Sequence, residues 1–314
     1  MIKNILSFSP ILEFFLRLIL RKFNIFNRYF FKIKKYLSSD KSKKYNSTKI
    51  DELMDLISIN LSDSNSVLIH SSSTELQKIG ISPNVFVDKL INLVGPKGTV
   101  FAPAIPIIKN KEFKFTKKNN IDENIYEYNI NKTPTGTGLI SKILLKIPNS
   151  VRSNIPINAM VGVGHYADKV IQKNIKDIIY PCGINSGWYF CYSIDATIIF
   201  LGVDPTHSMT MIHVVEDSFP DEWPVNNWYG IKNFRVKDSD STYLIRIYER
   251  LPYWSIRYSE RNLKRVLLRN GILKHKNING LNLYFCKSKD LINFLKNNNK
   301  NGYPYYIFPW EKKF

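Results

Sequence analysis

Apolar residues in this chain come in short continuous runs separated by amphipathic stretches. Val67–His70 (VLIH), Thr99–Pro103 (TVFAP), Ala159–Val163 (AMVGV) and Ala196–Val203 (ATIIFLGV) have the length and β-branched content of strands buried on both faces. Between them, residues 50–61 (IDELMDLISINL), Val85–Val94 and Gly138–Lys146 space their apolar residues as helices do. Ser72 and Glu75 have the spacing of a capping box, which predicts a helix starting directly after His70. Strands alternating with helices predict an α/β fold, a three-layer α/β/α sandwich with a mixed central sheet. Lys109–Lys132 is polar and of low complexity and reads as a flap or loop. After Gly271, the Asn279-Gly280 pair predicts a hairpin turn, with a short helix beyond it. No internal repeat is present.

The first 46 residues differ from the rest. Phe14, Phe15, Leu18 and Ile19 would share one face of a helix flanked by Arg17, Arg21, Lys22, Arg28, Lys32, Lys34 and Lys35. No apolar run approaches the roughly 18–20 residues needed to cross a bilayer, and no small-residue cleavage site follows. Residues 1–47 therefore read as a basic amphipathic arm plus a Ser/Lys linker (Ser38–Ser47), and 48–314 as one α/β domain. Two readings of the arm stand: it lies in the interface of an anionic membrane, or it packs on its own domain or a second subunit.

Charge narrows the partners. With 45 Lys and Arg against 26 Asp and Glu the chain carries +19. That favours an anionic partner: a nucleotide-bearing small molecule, a membrane surface or nucleic acid. Part of the Lys, Asn and Ile richness can equally reflect genome composition. Arg246, Arg250, Arg257 and Arg261 are interleaved with aromatic residues, but no nucleic-acid motif accompanies them, so nucleic acid is not expected. The three cysteines, Cys182, Cys191 and Cys286, have no C-x-x-C spacing. They point to a reducing, cytoplasmic setting, at the inner membrane face if the arm binds lipid. His207 and His213 lack a zinc spacing, so no metal is expected.

Residues 200–217 hold the densest candidate chemistry. His213 stands three residues before Glu216, with Thr210 one turn earlier, at the mouth of a buried strand. An imidazole with a carboxylate partner in that position suits a general base. The same spacing also fits a plain amphipathic helix that packs Met211, Val214 and Val215 inward. His70 and Ser71 fall at a strand-to-helix turn, where backbone N–H groups favour oxygen atoms of a ligand.

Taken in order, these segments resemble the aminoglycoside 3-N-acetyltransferase family. Its pattern is matched by the strand ending in His70-Ser71-Ser72, by Gly95-x-x-Gly98-Thr99-x-x-x-Pro103, by Thr133-Pro134-x-x-x-Gly138, by Arg152-Ser153, by Cys182-Gly183 and by Thr210-x-x-His213-x-x-Glu216. Two positions depart: Ile155 stands where the family has a histidine before Pro156, and Gly187 where it has a proline after Ser186. The resemblance implies transfer of an acetyl group from acetyl-CoA to an amine by direct attack. His213 would take the amine proton, Glu216 would orient the imidazole, and Thr210 or the turn after His70 would donate to the oxyanion. Ser71, Ser72, Arg152 and Ser153 would line the coenzyme. His70 reads either as a proton relay or as a buried turn histidine, and Arg152 either as a coenzyme contact or as a structural ion-pair partner. The acceptor would be an amino sugar of surface-polysaccharide assembly, nucleotide- or lipid-linked, or an aminoglycoside antibiotic. A polycation suits a basic protein less well. A silent relative with a binding or scaffolding role, and a homo-oligomer, stay open.

Overall fold

The computed structural model describes residues 6–22, 49–108, 120–173, 175, 178–239, 241–298 and 305–311. The Ser38–Ser47 linker, the basic residues Arg28–Lys35 and the start of the polar excursion at 109–119 lie outside them. In chain order the strands are β1 (Ser66–Ser71), β2 (Thr99–Pro103), β3 (Ile121–Asn129), β4 (Val151–Arg152), β5 (Met160–Gly164), β6 (Ile178–Ile179), β7 (Thr197–Leu201), β8 (Tyr229–Lys237), β9 (Thr242–Arg250), β10 (Lys274–Ile278) and β11 (Leu281–Lys287). Seven of them form one sheet in the order β10-β11-β7-β1-β2-β5-β4. The three central strands β7, β1 and β2 are parallel, and the outer pairings are antiparallel, so the sheet is mixed.

Strand alternation sends the two sides of this sheet into two separate cores. On one side Val67, Ile69, Ile199 and Leu201 meet Leu53, Ile57, Leu76, Phe86 and Leu90 from the helices Ile50–Ser58, Ser73–Lys78 and Pro83–Val94. On the other, Leu68, Ile198 and Phe200 meet Trp188, Val214, Leu263 and Leu291 from the helices Gly187–Ser193, His213–Ser218, Glu260–Arg269 and Ser288–Asn298. Helices on both faces of a buried parallel centre give the α/β/α layering. Ser72 caps the Ser73–Lys78 helix, its hydroxyl accepting from the Glu75 N–H. β10 and β11 turn at Asn279-Gly280, both with positive φ.

Two expectations change. Lys109–Lys132 is not wholly a loop, because Ile121–Asn129 is strand β3, with Tyr126 and Tyr128 buried between exposed neighbours. The aromatic and basic segment around Tyr229–Arg250 folds into the paired strands β8 and β9, in register from Tyr229 opposite Arg250 to Lys237 opposite Thr242. Together with β3 and β6 they make a second, four-stranded sheet, β3-β8-β9-β6. Its core collects Tyr126, Tyr128, Ile155, Phe234, Val236, Ile245 and Ile247.

The helix Pro10–Lys22 divides what the sequence placed on one apolar face. Phe14 is buried against Tyr306 and Phe308, whereas Phe8, Ile11, Leu12, Phe15 and Ile19 are exposed. No helix among the described residues is long and apolar enough to cross a membrane.

The Gly95-x-x-Gly98-Thr99 motif has a packing cause. A Cβ on Gly98 would lie 2.2 Å from the Asn65 carbonyl oxygen and 2.4 Å from that of Val94. Gly98→Ala should therefore cost roughly 1–3 kcal/mol, the usual scale for overpacking, read as a lowered Tm. An unchanged Tm would remove this account of the motif.

Candidate functional site

The site lies where β7 leaves the sheet. Asp204 caps the turn Pro205–His207, accepting from the Thr206 N–H at 3.0 Å. A second tight turn, Thr210–Ile212, then leads into the helix His213–Ser218. Met211, Ile212, Val214 and Val215 are buried in the core beneath. The apolar reading of this segment is thus correct for four of its residues, and their burial fixes where His213 points. His213 lines a pocket of about 260 Å³ together with Thr206, His207, Ser208, Met209, Thr210, Ile212, Arg250, Tyr258 and Glu260.

His213 and Glu216 meet as the i,i+3 spacing predicts: Nδ1 lies 2.8 Å from Glu216 Oε1. Glu216 is only 2 % exposed, and its Oε2 has no hydrogen-bond partner. A carboxylate held on Nδ1 fixes the tautomer that presents a basic Nε2, and it stabilises the imidazolium that forms when a proton arrives.

Behind this pair stands Asp217, which the sequence reading missed. Its Oδ2 accepts from the Cys182 N–H at 2.8 Å and its Oδ1 from the Tyr229 hydroxyl at 2.9 Å. Burial and then the neighbouring Glu216 charge push its carboxyl well above the usual carboxylate range. Cys182, of the matched Cys-Gly pair, is buried and its thiol is pushed far up, by burial first and by Asp217 next. A thiol so protonated is no nucleophile, which leaves direct attack as the economical chemistry.

The remaining predicted residues fall elsewhere. His70, at the end of β1, is 6 % exposed and stacks on Phe200 with ring centroids 5.0 Å apart, with Trp188 6.4 Å away. Its Nε2 is buried without a partner, and burial pulls its pKa down to about 3, so the ring is neutral near pH 7. A neutral imidazole of such low basicity is a hydrogen-bonding group and a poor proton relay. Ser71 pairs with Leu201 in the sheet, and the Ser72 hydroxyl is occupied as a cap. Arg152 has no carboxylate partner among the described ion pairs; it clamps backbone, donating to the carbonyls of Ile130, Thr133 and Ala104, with its guanidinium over the Tyr128 ring. The Ser153 hydroxyl closes a local turn with Ile155. None of these five lines the His213 pocket. Four residues that do, His207, Arg250, Tyr258 and Glu260, had no role in the sequence reading. Tyr258 and Glu260 come from beyond the matched motifs, and Arg250 looked like part of a basic surface. No cluster of three or more metal-ligating side chains occurs among the described residues.

Comparison with known proteins identifies the family and the fold. The family model for aminoglycoside 3-N-acetyltransferase matches residues 68–298, more than half of the chain. A similar curated protein is the SPbeta prophage-derived aminoglycoside N(3')-acetyltransferase-like protein YokD of Bacillus subtilis (strain 168). It is 26% identical over 188 residues, which is 57% of this chain and 68% of the relative. Among solved structures, AAC-IIIb in a binary complex with CoASH aligns with a TM-score of 0.61 at 17% identity, covering 80% of this chain and 97% of that one. AAC-VIa bound to sisomicin aligns with a TM-score of 0.61 at 15% identity, with the same coverage of each. These two share the fold.

His213→Ala should lower turnover by roughly 10²–10⁴-fold, the usual cost of a lost general base, and leave acetyl-CoA binding in place. Glu216→Gln should cost less. Steady-state rates with calorimetric coenzyme binding test both, and near-normal turnover in His213→Ala would remove His213 from the base role.

Proposed function

The chain belongs to the aminoglycoside 3-N-acetyltransferase family, and from that premise we propose that His213 is the base through which it acetylates the amine of an amino sugar. It is an N-acetyltransferase, with acetyl-CoA as co-substrate supplying the acetyl thioester. One observation carries the assignment: a pocket-lining imidazole whose Nδ1 is held 2.8 Å from a buried carboxylate. An amine is mostly protonated near neutrality and must lose a proton to attack. His213 Nε2 takes it, the Glu216 carboxylate stabilises the imidazolium so formed at short range, and Asp217, whose pKa is pushed up by burial, keeps a second carboxyl beside Glu216. Thr210 lines the same pocket, which supports its hydroxyl as a donor to ligand oxygen. His70 Nε2, buried without a partner, suits a polar group of the coenzyme side of the site. Arg152 and Ser153 act on that side indirectly, by fixing the backbone.

For the acceptor we favour an amino sugar of surface-polysaccharide assembly, carried on a nucleotide or a lipid. The charge of +19 repels a polycation at long range and attracts a phosphate-bearing donor. Ile155, where the family has histidine, is buried in the core of the second sheet and offers an acceptor no polar contact. The antibiotic reading has its own support in the sisomicin-bound neighbour. The outward apolar face of the Pro10–Lys22 helix, with basic residues around it in sequence, supports a peripheral seat on an anionic bilayer.

Three outcomes are expected. Acetyl-CoA at 100 times its Kd should stabilise the fold by about 2.7 kcal/mol, and thiol release should be faster with a nucleotide-linked amino sugar than with gentamicin. No thermal shift at millimolar coenzyme points to a silent relative, and the reverse acceptor order restores the antibiotic reading. In vesicle co-sedimentation, the chain should bind phosphatidylglycerol-containing membranes in a salt-sensitive way. Truncation to residue 48 should abolish that binding; if neither form sediments, the arm is a packing element.

A further inference from the structure

The helix Pro10–Lys22 lies outside the region matched by the family model, yet it reaches the wall of the His213 pocket. Its inner face is polar and charged. Glu13 is 1 % exposed and pairs with Arg17 and Arg261. Arg17 also pairs with Glu260, the first residue of the helix Glu260–Arg269 and a lining residue of the pocket. Arg261 stands 3.7 Å and His207 Nδ1 3.9 Å from Glu260 Oε1. The preceding residues seal the contact: Asn262 and Arg265 both donate to the Ser7 carbonyl, at 2.8 and 2.9 Å. Phe14 is held under Arg257 and against Phe308.

Two carboxylates and two guanidiniums balance in charge, but they do not balance in hydrogen bonds. Glu260 is 4 % exposed; its Oε1 is gripped by Arg17, while Oε2 is buried with no partner. A buried carboxylate oxygen left empty is costly unless a ligand fills it. Glu260 lines the pocket that also holds His213, so a ligand seated there can bring a donor to its carboxylate. The reacting amine is a poor candidate, since a carboxylate beside it would hold its proton against His213.

We infer that Glu260 is a specificity-determining residue that receives a second donor of the acceptor, a sugar hydroxyl or a further amine, and that Arg17 of the N-terminal helix is the positioning residue that aims it. The inference rests on the amine-acceptor reading above. It makes the arm part of the acceptor site, apart from any contact its outer face makes. Arg17 bridges Glu13 and Glu260, so without it Glu260 loses the cation that grips Oε1 and sets the direction of its carboxylate.

Steady-state kinetics on Arg17→Gln, Arg17→Lys and Glu260→Gln test this, with the acceptor that the wild type acetylates faster, nucleotide-linked amino sugar or gentamicin. Glu260→Gln and Arg17→Gln should raise the acceptor KM by about tenfold, the scale of one charge-assisted hydrogen bond. The acetyl-CoA KM should stay within about twofold, and Arg17→Lys, which restores the charge but not the fork of donors, should recover part of the loss. A general structural fault would move both KM values together. Calorimetry of the same two probes on His213→Ala enzyme loaded with CoA gives a readout that needs no turnover. If a probe binds and Glu260→Gln leaves its Kd within about twofold, the role of Glu260 is wrong while the acetyl-transfer reading stands. If neither probe binds the unsubstituted pocket, the amine-acceptor reading fails and this inference falls with it.

Discussion

Two adjacent carboxylates, Glu216 and Asp217, are both buried, and the architecture around the site follows from the need to hold them. Buried charge is tolerated only with close partners. His213 supplies one from the same helix, and the Cys182 N–H another from the loop before Gly187–Ser193. The others come from the second sheet. Tyr229 opens β8 and Arg250 closes β9, and the two are paired across the ladder. The open end of one hairpin thereby delivers a phenol to Asp217 and sets the Arg250 guanidinium in the wall of the His213 pocket. Arg250 is in turn fixed by the Tyr305 hydroxyl and lies over its ring. The second sheet is thus a mount for counter-groups as much as a separate core.

This explains which parts of the molecule were legible in the sequence. The seven-stranded sheet was readable because its central strands are buried on both faces, so they appear as unbroken apolar runs. The helix caps and the Asn279-Gly280 turn were readable because their chemistry is local. The His213–Glu216 contact was readable because three residues on a helix determine it. The second sheet was obscured because its strands bury one face only. In β8, Ile231, Asn233 and Arg235 alternate with buried Gly230, Lys232 and Phe234, and a buried lysine breaks the pattern. Strand β3 was hidden in a polar segment for the same reason. Nothing local in the sequence marks Asp217, and only tertiary packing distinguishes it from a helix-surface acid.

Arg152 and His70 show the opposite case, in which motif position suggests contact with a ligand and the packing shows a structural task beside it. Arg152 gathers three backbone carbonyls from separate segments, around Ala104, Ile130 and Thr133. It thus ties the end of β2 to the end of β3, joining the two sheets. A guanidinium with its fixed fork of donors suits that task better than lysine would. A residue in a family motif can therefore owe its identity to the join between sheets. His70 lies between Trp188 and Phe200, where the aromatic surroundings exclude water and suppress its basicity.

The pocket itself has walls of different origin, and that bears on how an acceptor is chosen. Thr210 and His213 come from the segment after β7, inside the matched motifs. Arg250 comes from the hairpin, and Tyr258 and Glu260 from the connection that the N-terminal helix covers. The backbone of Tyr258 pairs with Tyr305 of the C-terminal segment, and Phe14 packs on Tyr306 and Phe308 of that same segment. Both ends of the described chain thus converge behind one wall of the pocket, opposite in sequence to the residues of the base. The N-terminal helix reaches that wall through Glu260, whereas the C-terminal segment also fixes Arg250 through Tyr305. On the proposed reading, such a division separates the residues that choose the acceptor from those that take its proton.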